Sequence, residues 1–301
     1  MKVIVLGATG FIGFPVAQAL ARAGHIVYGL TRSEANANKL AAEEIIPIVA
    51  EPTSTSWHHL IAKLDVVIEC IGGFPDLATA SNAILTAVTH SATDLRPPGA
   101  PKLSYIYTSG TWVQGDSRTD IVSDTTPISN PVQLTSWRIP LEQAVVTSTT
   151  LNGIVIRPSL LYGRGGSLLA PLFKSAQEGK VAWYGAPGGR FALVHADDLA
   201  DLYVRAAEKA PIIGGKIFDA SNDFTESVDD LLRRLADLTG VKTSPEFIKP
   251  TNLFEEALGA TLLLRPYLAR ALLGWTPRKP GLVDGLETYY ANSPAVAGAA
   301  G

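Results

Sequence analysis

The chain has 301 residues, 47% hydrophobic and 18% charged, which is apolar material enough for a sizeable core in one large domain or a domain with a lobe. A formal net charge of −3 and the lack of any Lys/Arg run exclude a nucleic-acid or anionic-membrane surface, so a small molecule is the expected partner. The single cysteine, Cys70, excludes an internal disulfide and a thiolate metal cluster, and no metal is expected.

Residues 3–6 form the first apolar β run, and Gly7 ends it too early for a secretory signal. No segment approaches the roughly 18 uninterrupted apolar residues of a membrane span, so a soluble cytoplasmic protein is expected. Residues 11–23 are Ala-rich and helical, stopped by Gly24. Strands are predicted at 25–30, 45–49 and 65–71, a helix at 76–90, and strands at 103–108 and 153–157. Near-continuous apolar strands alternating with helices predict an α/β fold, a doubly wound parallel Rossmann sheet covered on both faces.

From about residue 163 the rhythm loosens. Short strands at 181–184, 191–194 and 216–219 mix with helices at 198–209 and 227–238. The expected division is a Rossmann domain over 1–160 that also receives segments near 190–220, a small C-terminal substrate-binding lobe over 161–291, and a disordered Ala/Gly-rich tail over 292–301.

Gly7-Ala8-Thr9-Gly10-Phe11-Ile12-Gly13 follows the first strand and opens the first helix. Gly7 suits a tight turn, Gly10 a close approach of backbone to a pyrophosphate, and Gly13 tight helix–sheet packing. The helix N-terminus adds positive partial charge for the anion. An NAD site places an acid about 20 residues later to accept from the ribose 2′-hydroxyl. Here Thr31 holds that position, followed by Arg32 and Ser33, which suit a 2′-phosphate. NADP(H) is therefore expected in preference to NAD(H).

The glycine loop resembles that of the extended and atypical short-chain dehydrogenase/reductases, the superfamily of sugar-nucleotide epimerases and dehydratases. Three later segments are similar to the same family in the same order: Arg157-Pro-Ser-Leu-Leu-Tyr-Gly163, Val194-His-Ala-Asp-Asp-Leu-Ala200 and Leu273-Gly-Trp-Thr-Pro277. The resemblance implies that Thr9, Phe11 and Ile12 lie along the pyrophosphate and that Cys70, Ile71 and Gly72 line the adenosine and ribose side. It also implies that Thr108 and Ser109 end a strand near the nicotinamide, with Pro158 and Ser159 opposite. Asp197 and Asp198 are expected to cap the helix that follows them.

The catalytic pattern departs from the family. Its Tyr-x-x-x-Lys is absent: Leu134 stands at the tyrosine position and Arg138 at the lysine position, when the helix is anchored on Glu142. Gly110 stands where a serine or threonine is expected. Leu134 cannot move a proton, and Arg138 can bind a ribose or phosphate but stays protonated. Pro140 delays the helix start, with Thr135 or Ser136 as candidate caps. Ser109, Thr111 and Arg138 are the candidate catalytic groups, with Tyr107, Tyr162 and Tyr184 as further acids. Trp112, Trp137 and Trp183 are candidate pocket walls, and Arg190 could grip an anionic substrate; His195 is expected to bond backbone.

Three functions compete. The first is an atypical NADP(H)-dependent oxidoreductase on a small, apolar or aromatic carbonyl or hydroxyl compound, with a homodimer as the candidate assembly. The others are a redox-silent nucleotide sensor and a non-redox isomerase or cyclase on the same fold.

Overall fold

Side chains along each early strand alternate between two apolar layers, and this alternation builds the core. In β1 (Lys2–Leu6), Val3 and Val5 enter one layer while Ile4 and Leu6 enter the other. The computed structural model describes residues 1–165, 167–293 and 296. Next come α1 (Gly13–Arg22), β2 (Ile26–Thr31), α2 (Glu34–Ala41), β3 (Ile46–Val49), β4 (Val66–Glu69) and α3 (Leu77–Leu95). They are followed by β5 (Ser104–Thr108), β6 (Ser117–Val122), α4 (Arg138–Val146), β7 (Asn152–Pro158) and β8 (Leu160–Tyr162). Then come α5 (Ala170–Gln177), β9 (Ala182–Tyr184), β10 (Arg190–Phe191), β11 (Leu193–His195), α6 (Ala196–Glu208), α7 (Ala210–Ile213) and β12 (Lys216–Ala220). The chain continues through β13 (Glu226–Ser227), α8 (Val228–Thr239), β14 (Glu246–Ile248), α9 (Leu253–Gly259), β15 (Leu262–Leu264) and α10 (Leu286–Ala291).

Seven strands pair in parallel in the order β12-β7-β5-β4-β1-β2-β3. The predicted doubly wound Rossmann sheet is the observed one. One face is covered by α1 and α6 through Val16, Leu20, Leu202 and Tyr203, the other by α3 and α4 through Ile84, Val88, Leu141 and Val145. Strand order reverses between β1 and β4, and in open sheets that crevice is where ligands bind. β3 is an edge strand of sequence Ile-Pro-Ile-Val, with Ile46 and Val49 exposed.

A second cluster, around Leu172, Phe173, Trp183, Leu231 and Leu286, joins α5, α8 and α10. It is flanked by short two-stranded pairs rather than a continuous sheet. The strand predicted at 191–194 is split at Ala192 into β10 and β11, which pair with different partners. The one predicted at 216–219 is β12, an edge of the main sheet beside β7. The first helix starts at Gly13 rather than residue 11, because Phe11 and Ile12 belong to the glycine turn. The helix predicted at 76–90 runs on to Leu95, capped by Asp76 through the Thr79 amide. Of the tail expected to be disordered, Asn292 ends α10 and Ser293 is buried; residues 294, 295 and 297–301 lie outside those described.

Beneath the sheet's C-terminal ends lies a closed ionic cluster. Arg157 donates from Nη2 to Glu142 Oε2 at 2.6 Å and from Nε to Glu142 Oε1 at 3.0 Å, and reaches Asp219 Oδ1 at 3.5 Å. Gln114 donates to the other Asp219 oxygen at 2.8 Å. Burial pushes the Asp219 carboxyl up to about 7, against the pull of Arg157. Glu69, the last residue of β4, is likewise buried, accepts from Ser81 and Tyr105, and is pushed by burial up to about 7.

Arg157→Met leaves Glu142 and Asp219 buried without their cation and is expected to cost about 3–5 kcal/mol in urea unfolding. The loss is expected to be larger at pH 8 than at pH 5.5, where protonation of Asp219 relieves its buried charge; a loss below about 1 kcal/mol contradicts this. Glu69 binds its proton more tightly folded than unfolded, so its contribution is complete below about pH 4.5 and lost as pH rises toward 7. Glu69→Gln is therefore expected to gain stability over the parent at pH 8.5, by an amount on the order of 2–3 kcal/mol, and little at pH 4.5.

Candidate functional site

The glycine loop brings three backbone segments within contact. Gly7 has φ +80°, and a Cβ there would lie 2.5 Å from the Cys70 carbonyl oxygen; a Cβ on Gly13 would lie 2.2 Å from the Gly7 oxygen. Among the described residues, the amides of Thr9, Phe11 and Ile12 donate to no acceptor. No acid stands in the first turn of α1. Free amides and a helix start without a carboxylate make an anion cradle.

The loop forms the floor of a cleft of about 930 Å³ at the β1/β4 crevice. Gly7, Thr9, Gly10, Phe11 and Ile12 line it, as do Thr31 and Arg32 at the end of β2, and Cys70, Ile71 and Gly72 after β4. Thr31 is buried, and the exposed Arg32 guanidinium stacks 5.2 Å from the ring centroid of Phe74. Ser33 stands behind this wall at the N-cap of α2, where its side chain makes no capping bond. Asp76, on the same wall, has both oxygens occupied by Thr79, which hold its carboxyl below the usual range.

Farther along, Ser109, Gly110, Thr111 and Trp112 after β5 face Pro158 and Ser159 after β7. Ser109 and Ser159 are buried, and neither hydroxyl has a hydrogen-bond partner among the described residues. Thr108 does not line the cleft; its hydroxyl contacts the Tyr203 hydroxyl at 2.6 Å and Cys70 Sγ at 3.3 Å. Burial pushes the Cys70 thiol up to about 12, so it stays protonated despite its place on the wall.

Leu134, Arg138 and Gly110, the positions expected from the resemblance to correspond to the family's tyrosine, lysine and hydroxyl, all line this cleft. Helix α4 begins at Arg138, so Pro140 falls in the first turn, where no backbone bond is lost. Thr135 and Ser136 do not cap it; their hydroxyls return to the carbonyls of Val132 and Gln133. Arg138 Nη1 donates to the Tyr107 hydroxyl at 2.7 Å and the Thr108 carbonyl at 3.1 Å, and the Trp137 ring lies 4.5 Å from its guanidinium carbon.

Several candidates stand elsewhere. Tyr162 is buried, donating to the Pro280 carbonyl and accepting from Asn222. Tyr184 sits in the lobe against Trp183, whose own indole donates to the Leu258 carbonyl. Arg190 is held by Thr225, not turned to the cleft. Tyr107 lies in the core under α4, and burial raises its phenol. His195 caps α6 by accepting from the Asp197 amide, replacing the expected aspartate cap; Asp197 pairs with Arg164 and Lys279, and Asp198 accepts from the Lys279 amide. Among the described residues, no group of three or more His, Cys, Asp or Glu is placed to hold a metal ion. In the same residues, no helix is long and apolar enough to cross a membrane.

The reading of the residues missed Phe74 and the apolar wall of Leu160, Leu161 and Leu168. Phe74 had a signal: it follows the Gly72-Gly73 pair that ends the β4 segment.

The profile of the NAD dependent epimerase/dehydratase family matches residues 3–219. A 3-diazoavenalumate denitrifying reductase from a Streptomyces species is 24% identical, covering 95% of this chain and 99% of the relative. The human epimerase family protein SDR39U1, solved with NADPH, superposes with a TM-score of 0.72 at 18% identity, over 97% of this chain and 100% of that one. The dTDP-glucose 4,6-dehydratase of Bacillus anthracis, solved with NAD, gives 0.79 at 15% identity, over 97% and 96%. With a matching profile over most of its length and a seven-stranded parallel sheet bearing a glycine-loop cleft, the chain belongs to the NAD dependent epimerase/dehydratase family and has its NAD(P)-binding Rossmann fold.

Proposed function

We propose that the protein is an atypical short-chain oxidoreductase that uses NADP(H) on a small, apolar or aromatic carbonyl or hydroxyl compound. The observation that carries this reading is the pair of buried, unpartnered hydroxyls, Ser109 and Ser159, on the cleft that the glycine loop and Arg32 also line. A buried hydroxyl without a partner costs about 1–3 kcal/mol, and a bound ligand removes that cost. The glycine-loop amides suit the diphosphate, and Arg32, beside a threonine rather than an acid, suits a 2′-phosphate. The human relative solved with NADPH agrees with this preference, and the dehydratase solved with NAD does not.

A bound nicotinamide supplies or accepts the hydride. Ser159 serves the nicotinamide side. Ser109 and Thr111 orient the carbonyl oxygen by donating hydrogen bonds to the negative charge that grows there, and water delivers the proton that Leu134 cannot. Trp112, Leu134, Trp137 and Leu161 make walls that suit an apolar or aromatic body better than a sugar. The Streptomyces relative, named for a reductase, supports the redox reading. A second reading, nucleotide sensing without turnover, is favoured by Leu134 and Gly110 facing the cleft where acid–base groups are expected.

Titration calorimetry is expected to show NADPH binding about 10–100-fold more tightly than NADH, with Arg32→Ala bringing the ratio near one. Equal affinities in the parent protein overturn the NADP assignment. With a panel of aryl ketones, quinones and aldehydes, NADPH absorbance is expected to fall, and Ser109→Ala is expected to lower kcat/KM by about 100-fold. Tight NADPH binding with no oxidation across the panel selects the sensor reading instead.

A further inference from the structure

Arg138 stands at the start of α4 as a half-buried cation on the cleft wall. Only Nη1 is engaged, by the Tyr107 hydroxyl and the Thr108 carbonyl, and these two bonds fix the plane of the guanidinium. The Trp137 ring stacks on it at 4.5 Å. Nε and Nη2 have no acceptor, and no carboxylate pairs with Arg138 among the described residues. Glu69 feels the charge through space, yet its own oxygens take Ser81 and Tyr105. By contrast Arg157, Arg164, Arg205 and Arg270 are all paired with carboxylates.

Two further features sit at the same place. Helix α4 carries no acid in its first turn, and the amides of Trp137 and Arg138 donate to no acceptor among the described residues. Ser109, which follows the Thr108 carbonyl that Arg138 binds, is buried with an unpartnered hydroxyl on the same cleft. A guanidinium with one edge unengaged, a helix start and an unpartnered hydroxyl thus belong to residues that line one cleft. The surrounding walls are Trp112, Leu134, Trp137, Leu160 and Leu161, and the carboxylate that also lines the cleft, Asp76, has its oxygens taken by Thr79.

We propose that the carbonyl or hydroxyl substrate is also an apolar or aromatic carboxylic acid whose carboxylate is held by the free Nε/Nη2 edge of Arg138, which leaves Ser109 to the reacting oxygen. This deepens the oxidoreductase reading and rests on it for the identity of the cleft as the substrate site. A carboxylate matches the fork of a guanidinium with two parallel bonds, whereas a neutral amide of the same shape offers one acceptor and a repelling donor. A ribose hydroxyl pair is the competing occupant of the same edge, and the test separates the two.

The test uses the full chain saturated with NADPH and titrates trans-cinnamate and trans-cinnamamide by calorimetry. Cinnamate is expected to bind at least tenfold more tightly than the amide. Arg138→Gln is expected to abolish that ratio while NADPH affinity changes less than threefold, and Arg138→Lys is expected to keep part of it. Equal binding of acid and amide by the parent protein, or no saturable binding of either at millimolar concentration, overturns the proposal. So does an Arg138→Gln variant that loses tenfold or more in NADPH affinity, which assigns the edge to the ribose. Because NADPH binding and oxidation are read separately, failure here leaves the oxidoreductase reading to its own assays.

Discussion

The contact on which the architecture turns is between main-chain atoms. The Gly7 carbonyl occupies the space a side chain would need at Gly13, and the Cys70 carbonyl occupies the space one would need at Gly7. β1, β4 and α1 can therefore close to backbone distance only where no Cβ intervenes. That closeness leaves loop amides without protein acceptors at the mouth of the helix, directly over the crevice where the strand order reverses. The rest of the cleft is arranged around this floor.

Charge on the cleft lining is sparse, limited among the described residues to Arg32, Asp76 and Arg138. Arg32 lies over Phe74, and Arg138 is tied to β5 through the Thr108 carbonyl. With leucine at 134 and arginine at 138, this wall offers no proton shuttle but keeps a cation, because an arginine does not titrate. Arg138 gives the wall a permanent donor fork. Tyr107 is retained close by, but buried beneath α4, where burial keeps its phenol protonated and its oxygen serves to anchor Arg138.

What could be read from residues alone follows from local rules. Strand runs such as Val3-Ile4-Val5-Leu6 are apolar on both faces and demand a sheet covered twice, and the glycine spacing marks the turn that Gly7 makes at φ +80°. The threonine–arginine pair at the end of β2 is legible for the same reason, since it lies at a fixed distance along one βαβ unit. Tyr162, Tyr184 and Arg190 were not legible as residues outside the cleft, because their directions depend on partners far along the chain. Tyr162 is turned by Pro280 and Asn222, and Arg190 by Thr225. The place of β12 is also non-local: its partner β7 lies more than fifty residues earlier, and Arg157 and Asp219 meet only once both strands are in the sheet. At α6 the helical pattern was evident but not which polar residue caps it, since His195 and Asp197 are both able to do so.

The outer strand β3 carries a further consequence. An open sheet edge is a template on which a foreign strand can grow, and the Ile-Pro-Ile-Val edge would otherwise be an inviting one, with Ile46 and Val49 facing solvent. Pro47 has no amide hydrogen, so an incoming chain meets a gap in the ladder at the middle of a four-residue strand. The molecule is thereby guarded against sheet-to-sheet aggregation at this apolar border by one residue far from its chemistry.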